Sequence, residues 1–487
     1  MNTSMAVDAK YKDTGVKRYE GNPLIESLPP IWSPKEMEQR LSWYPESPTD
    51  EDRTKPAHLK AHEVPELRRL VYLLPEYTLY QSIFSILVRD GYTTRNPMDV
   101  RTWQYLHEIN MGSLDNLKAP VPIDHRASGI LFSGLSGMGK TTFINRLLAN
   151  YPNAIQHTKY NNKSFHHLQI VWIKISCPHD GSLRSLVRKF FVEVDKIADT
   201  RFTQDYFPKS GRGPSIPILI GEMSRIAADY FLGLLVIDEL QNLNRAKTQG
   251  DEGMLEFLGS LVDEIGIPVI SIGTPAVTKL FKKELRIARR ATSLGYYEFH
   301  RPAPDDSAWA NFLETLWKFD WTNNPTPLTP DLRYRFYEHT QGITALAVAL
   351  YILAQYRCLL EDESISVNLL DEIAAYEMAS VQAALRALRS TDKKIQKEFD
   401  DLLPADGWLD QLTDPNIIIQ QVAALKNTLS QPKPKKKKPS KKTTVTTSST
   451  DPNDIRNLPD DINDAHNTLR DKGLTPVNPF NLSDTIK

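Results

Sequence analysis

One octapeptide constrains this chain more than any other feature. Gly134-Leu135-Ser136-Gly137-Met138-Gly139-Lys140-Thr141 fits the pattern G-x-x-x-x-G-K-[ST]. The spacing has a physical cause. Glycines let the backbone curl so that successive N–H groups face one centre, which suits phosphate oxygens. Lys140 reaches the β and γ oxygens. Thr141 offers a hydroxyl to Mg²⁺ at the start of a helix whose positive end points at the same centre, and Thr142 completes the set of loop contacts. An apolar run at 130–132 precedes the loop, and a helix with Phe143, Ile144, Leu147 and Leu148 on one face follows it. Strand, loop and helix together imply an α/β fold that binds Mg-ATP.

Further along, Leu234-Leu235-Val236-Ile237-Asp238-Glu239 reads as a buried strand ending in two acids. Downstream of a phosphate loop, Asp238 would hold the water shell of Mg²⁺, and Glu239 would orient and deprotonate the attacking water. The adjacent Glu favours hydrolysis over a mere switch. A third strand at 269–272 ends in Gly273-Thr274. Two readings fit Thr274: a sensor of the γ-phosphate or lytic water, or a turn with Pro275 that caps the next helix. That helix, 276–290, carries Lys279, Lys282, Lys283, Arg286, Arg289 and Arg290 against one Glu284. It is either a solvated basic face or the place from which Arg289 or Arg290 crosses to a neighbouring subunit and neutralises transition-state charge.

Around these motifs the chain divides into four stretches. Residues 1–120 make a polar arm and a helical region, with helices at 34–45, 64–90 (interrupted at Pro75), 82–88 and 99–109. Residues 121–303 form an α/β core in which strands at 129–132, 168–175, 232–237 and 268–272 alternate with helices at 141–150, 182–198, 216–230 and 254–265, the pattern of a largely parallel sheet. Residues 304–400 form a helical lid with helices at 307–317, 330–341, 344–360 and 366–389. Residues 401–487 hold a low-complexity linker at 430–455 and a short docking helix at 454–471.

Composition removes several alternatives. Lys and Arg total 59 against 60 Asp and Glu, and seven of the lysines fall within 433–442. Without that run the balance is 52 − 60 = −8. Coating nucleic acid by bulk charge is thereby excluded, so any such contact needs a local basic patch. The two cysteines, Cys177 and Cys358, exclude a disulfide framework and a Cys-built zinc site, and they fit a reducing cytosol. His125, His166, His167 and His339 show no paired ligand spacing. The longest apolar run, 342–356, is shorter than the roughly 20 residues of a membrane span. A soluble, cytoplasmic protein is expected.

The stretch from about 20 to 395 resembles the TnsC family, the AAA+ ATPase regulators of Tn-seven-type transposons, with TniB proteins as distant relatives. The resemblance rests on YEGNPLI at 19–25, GILFSGLSGMGKTT at 129–142, IKISCPHDGSL at 173–183, LGLLVIDELQNL at 232–243, IPVISIGTPAV at 267–277 and Ala288-Arg289-Arg290. It implies ATP and Mg²⁺ as cofactors and self-assembly as rings or helical filaments on duplex DNA. It also implies signalling from a target selector of the TnsD/TniQ type to transposase and endonuclease subunits of the TnsB/TnsA type, reached through the C-terminal tail. Hydrolysis would drive disassembly. By motif match, Lys140, Thr141, Asp238 and Glu239 carry the nucleotide chemistry, Thr274 is the first sensor, and Arg289 or Arg290 is the trans-acting finger.

One departure stands out. Many AAA+ lids place an arginine after a Gly early in a lid helix, whereas Gly342-Ile343-Thr344-Ala345-Leu346 has none. Coupling between lid and nucleotide is either weak here or uses another residue. For DNA, Arg184, Arg188 and Lys189 near the turn at 179–181 are the first candidates, and a loop with Lys159 and Lys163 is the second; solvent-facing basic residues explain both equally well. The competing functional class is a signalling-type P-loop ATPase switch that acts through protein partners without DNA.

Overall fold

The computed structural model describes residues 6–111, 128–209, 213–245, 267–277 and 292–390. All of them lie within one compact unit, 1–425. The expected helix at 254–265, most of the basic helix at 276–290 and the whole of 391–487 fall outside the described residues.

Four apolar runs and one short strand pair into a five-stranded, wholly parallel sheet in the order β5-β6-β7-β2-β8. These strands are β2 (Gly129–Gly134), β5 (Trp172–Ser176), β6 (Leu234–Asp238), β7 (Val269–Gly273) and β8 (Tyr296–Phe299). Every residue of β2, β6 and β7 is buried, as expected for central parallel strands covered by helices on both faces. The carboxyl ends of β2, β6 and β7 share one edge of the sheet, where open α/β sheets bind ligands. The core is thus an α/β P-loop core with a parallel sheet.

One apolar run behaves differently from the sequence reading. The stretch 168–175 is two strands, not one. β3 (Ala154–Tyr160) and β4 (Lys163–Ile170) form an antiparallel hairpin, and β1 (Ala6–Asp8) pairs with β3 to make a separate three-stranded sheet. The chain leaves this sheet at Val171, whose N–H donates to Asn153 O at 2.8 Å, and enters the large sheet at Trp172.

The helices covering the sheet form where amphipathic spacing calls for them. Helix α7 (Lys140–Leu148) buries Phe143, Ile144, Leu147 and Leu148 on one face, and α8 (Leu183–Ala198) and α10 (Ile216–Asp229) cover the other. The preceding segments supply α1 (Pro23–Glu26), α2 (Pro34–Leu41), α3 (Asp50–Thr54), α4 (Ala57–Lys60), α5 (Tyr77–Thr93) and α6 (Val100–Met111), and α9 (Phe202–Tyr206) is a short turn after α8. The stretch 64–90 is not a single interrupted helix. Val64–Arg69 is a 3₁₀ turn, after which Val71 pairs with Trp43 in an extended bridge that leads past Pro75 into α5.

Helix α5 belongs to the core. Tyr80 packs at a tilt against Phe132 and Phe299, with ring centroids 5.4 Å apart in each pair, and its hydroxyl donates to Glu298 O at 2.9 Å. At Gly91 the helix crosses so close to β7 that a Cβ would stand 2.5 Å from the Pro268 ring. Only glycine fits there.

The lid is α11 (Ser307–Leu316), α12 (Pro330–Thr340), α13 (Thr344–Glu361), α14 (Val367–Ala375) and α15 (Ala379–Arg389). Helix α13 is apolar and long enough to cross a membrane by composition, yet it is buried as the lid's central helix. The stretch 366–389 breaks between α14 and α15. The turn carries Glu377 inward to pair with buried Arg357 at 3.3 Å and seats Met378 in the core. The N-terminal region fastens onto this lid: Lys60 Nζ donates to Arg53 O and Asn323 Oδ1, and Arg53 Nη1 donates to Asp320 O at 2.7 Å.

Candidate functional site

The phosphate loop leaves β2 at Gly134 and enters α7 at Lys140. Gly137 and Gly139 have φ of +82° and +80°, the left-handed region that the tight curl requires. Lys140 is buried, and its ammonium lies over the loop, donating to Gly134 O at 2.7 Å and Leu135 O at 2.9 Å. The α7 N-terminus faces the same space, so an anion there meets a fixed cation and a helix dipole together.

Thr141 and Asp238, 97 residues apart, meet at this point. Thr141 Oγ1 donates to Asp238 Oδ2 at 3.0 Å. The other carboxylate oxygen accepts the Glu239 N–H at 2.9 Å. Glu239 has φ +57°, so the chain reverses directly after β6 and turns this residue away from the strand. Its Oε2 accepts from Asn242 Nδ2 at 3.3 Å, and that amide also donates to Cys177 O at 3.2 Å. Strand β7 lies between β6 and β2, and Thr274 follows its last residue. The Thr274 hydroxyl is buried and has no hydrogen-bond partner among the described residues.

Sequence reasoning missed three parts of the site. Lys174, on β5, puts its ammonium 3.0 Å from Asp238 Oδ2. Beside the loop lies a cleft of about 270 Å³ lined by Arg68, Leu70–Leu73 and Tyr77 from the N-terminal region, by 136–143, and by Phe312, Thr344, Ala345 and Val348 from the lid. It is mixed apolar and polar, near the lower end of ligand-pocket sizes of about 300–1,000 Å³. The third part is the lid contact itself. Thr344 Oγ1 and Ala345 N–H both donate to Gly137 O at 3.1 Å. The lid therefore grips the phosphate loop through a hydroxyl and a helix N-terminus.

This donor set fits a nucleotide with Mg²⁺. Lys140, the loop amides and the unpartnered Thr274 hydroxyl suit phosphate oxygens, and Thr141 with Asp238 suits a hard divalent ion that keeps its waters. Among the described residues no other His, Cys, Asp and Glu group is arranged to hold a metal.

The basic candidates are not brought together. Arg184 turns inward, donating to Pro214 O at 2.7 Å and lying over the Phe207 ring at 5.4 Å, within cation–π range. Lys189 and Arg188 are both exposed, and Lys189 Nζ donates to Ser176 O at 2.7 Å. Lys159 and Lys163 are exposed on the β3–β4 hairpin, which replaces the expected loop; its turn residues Asn161 and Asn162 have φ of +46° and +61°. Arg289 and Arg290 lie outside the described residues.

A family model described as an AAA domain matches residues 123–281. No curated protein matches the chain. Among solved structures, the Aeropyrum pernix ORC1 protein in complex with DNA is similar at 14% identity and a TM-score of 0.35, over 67% of this chain and 81% of that one. Cdc6p from Pyrobaculum aerophilum is similar at 15% identity and a TM-score of 0.36, over 74% and 87%. A Walker-type ATPase of Pyrococcus abyssi is similar at 13% identity and a TM-score of 0.33, over 67% and 91%. The chain carries an AAA-type P-loop ATPase domain.

Proposed function

We propose that this chain is an ATP-hydrolysing regulator of DNA transposition that assembles with ATP on duplex DNA and disassembles on hydrolysis. The observation that carries the nucleotide part is the meeting of Thr141, Asp238 and Glu239 beside the phosphate loop. The transposition part rests on the TnsC-like motifs that flank those residues.

In this reading the loop amides and Lys140 hold the β and γ oxygens. Thr141 and Asp238 hold Mg²⁺, the latter through water, and the ion when bound neutralises charge building on the phosphates. Glu239 accepts the proton of the attacking water, with Asn242 holding the carboxylate until it is needed. Thr274 meets the γ-phosphate or that water. Arg289 or Arg290 of a neighbouring copy supplies charge in trans. The cleft formed by Leu70–Leu73, Phe312 and Val348 takes the nucleoside, which brings N-terminal region and lid together over one ligand.

On the DNA side, Arg188, Lys189, Lys159 and Lys163 are the exposed members of the basic set, and contact to phosphates alone is the expected mode. Target selectors of the TnsD/TniQ type and transposase or endonuclease subunits of the TnsB/TnsA type are the proposed partners. The inward engagement of Arg184 favours a second reading, a P-loop switch acting on protein partners without DNA. Electron microscopy of the purified chain with duplex DNA and a non-hydrolysable ATP analogue decides between them. Nucleotide-dependent assemblies around DNA, absent in Lys140→Ala, are expected. ATP-dependent DNA binding that survives Lys140→Ala would refute the site, and nucleotide binding without any DNA assembly would favour the switch.

A further inference from the structure

Asp238 is nearly buried, with its side chain 5% exposed, yet its carboxylate is fully paired within the protein. Oδ1 accepts the Glu239 N–H; Oδ2 accepts from Thr141 and stands 3.0 Å from the Lys174 ammonium. Lys174 itself is 18% exposed and is tethered a second time, donating to Asn145 Oδ1 at 2.8 Å. Asn145 lies one turn beyond Thr141 on α7, so the lysine stem runs along that helix and ends at the Thr141–Asp238 contact. The β5–β6 register fixes this arrangement: Lys174 pairs with Val236 and Ser176 with Asp238, so Lys174 shares the sheet face that packs on α7.

A fixed cation in this place has consequences for an anionic ligand and for a metal. A buried carboxylate without a counter-charge is costly. It would also repel the phosphates of a nucleotide that arrives without metal. Lys174 removes both penalties, and in doing so it opposes a second cation at the same carboxylate.

We infer that Lys174 is a built-in counter-ion of Asp238 that sets the metal dependence of nucleotide binding: it lets the loop take a nucleotide before Mg²⁺ and weakens the metal's hold afterwards. This rests on the reading of the site as a nucleotide site. Lys174 acts through Asp238 and is a positioning residue, not a catalytic one.

The test is equilibrium binding rather than turnover. A fluorescent ATP analogue is titrated into wild type and into Lys174→Met, Lys174→Gln and Lys174→Arg in EDTA, and Mn²⁺ is then titrated into the nucleotide-loaded proteins as a spectroscopic probe of the metal. Met and Gln should each weaken metal-free nucleotide binding by about tenfold and tighten Mn²⁺ by a similar factor, the effect of one unit charge at close range. Arg should keep the wild-type metal dependence. Gln retains a donor without the charge, so it carries the test if the Met variant does not fold. Unchanged values in both neutral variants, or weaker Mn²⁺ binding in them, would overturn the inference. Lys140→Ala run alongside separates the two claims: if it leaves nucleotide affinity intact, the site reading fails; if it abolishes binding while the Lys174 variants behave as wild type, only the counter-ion role fails.

Discussion

The contact between lid and phosphate loop gives a prediction with an internal control. Gly137 and Gly139 have nearly the same backbone, φ +82° and +80°, so replacing either by Ala forces an L-residue into the left-handed region at a cost of about 1–2 kcal/mol. Their surroundings differ. A Cβ on Gly139 meets nothing within 4 Å, whereas one on Gly137 would stand 2.9 Å from Ile343 Cγ2 and 3.2 Å from Ala345 Cβ. Both of those residues sit at the start of α13, whose Thr344 and Ala345 bond the Gly137 carbonyl. The added methyl must push the lid away from the loop or strain it, an overpacking cost of about 1–3 kcal/mol. Gly139→Ala should therefore lose about 1–2 kcal/mol, and Gly137→Ala about 2–5 kcal/mol, of which the excess measures the lid contact. Urea unfolding without nucleotide reads both, and hydrogen exchange at the start of α13 should rise only in Gly137→Ala. Equal destabilisation of the two variants, within about 0.5 kcal/mol, would show that the lid does not bear on the loop.

Two further outcomes follow from the geometry. Glu239→Gln keeps the shape of the residue and leaves Asp238 in place, so ATP should bind normally while phosphate release falls by about 10²–10⁴; turnover at the wild-type rate would remove Glu239 from the chemistry. His157 is buried between Tyr11 Oη at 2.8 Å and Gln169 Oε1 at 2.9 Å, and burial pushes its pKa down to about 4 from an unfolded value near 6.5. The native state thus binds fewer protons than the unfolded one between these values, so this contribution is complete above about pH 6.5 and is lost as the pH falls towards 4, a change of about 3 kcal/mol. His157→Gln should show a smaller drop in urea midpoint between pH 7 and pH 5 than wild type; an identical drop would place the titrating group elsewhere.

How much of this was legible depended on how local the physics is. The phosphate loop could be read because glycine, lysine and threonine act there within eight residues, and the paired acids because a buried strand ends on them. The parallel sheet followed from the alternation of short apolar runs with amphipathic helices. The division at Val171 could not be read: 168–175 is apolar without a turn signal, and only the pairing of Ala154–Tyr160 with Lys163–Ile170 shows that two sheets share it. The break at Glu377 depends on an arginine 20 residues earlier. The cleft beside the loop draws on Leu70–Leu73 and on Phe312 and Val348, so its walls come from segments far apart in the chain. Lys174 lay inside a quoted motif, but its role appears only with the register that brings it to the α7 face.

These late-appearing features belong together. Two of the site's charges are held within the core, where Lys140 lies over the loop carbonyls and Lys174 balances Asp238. The lid instead holds one neutral carbonyl, that of Gly137, through a hydroxyl and an N–H. Such a lid responds to the conformation of the loop and not to the charge upon it. An anion that curls the loop would seat α13 through this carbonyl, and a nucleoside in the cleft would add contacts to Phe312 and Val348, so in the proposed reading discrimination between phosphate states falls to Asp238, Glu239 and Thr274.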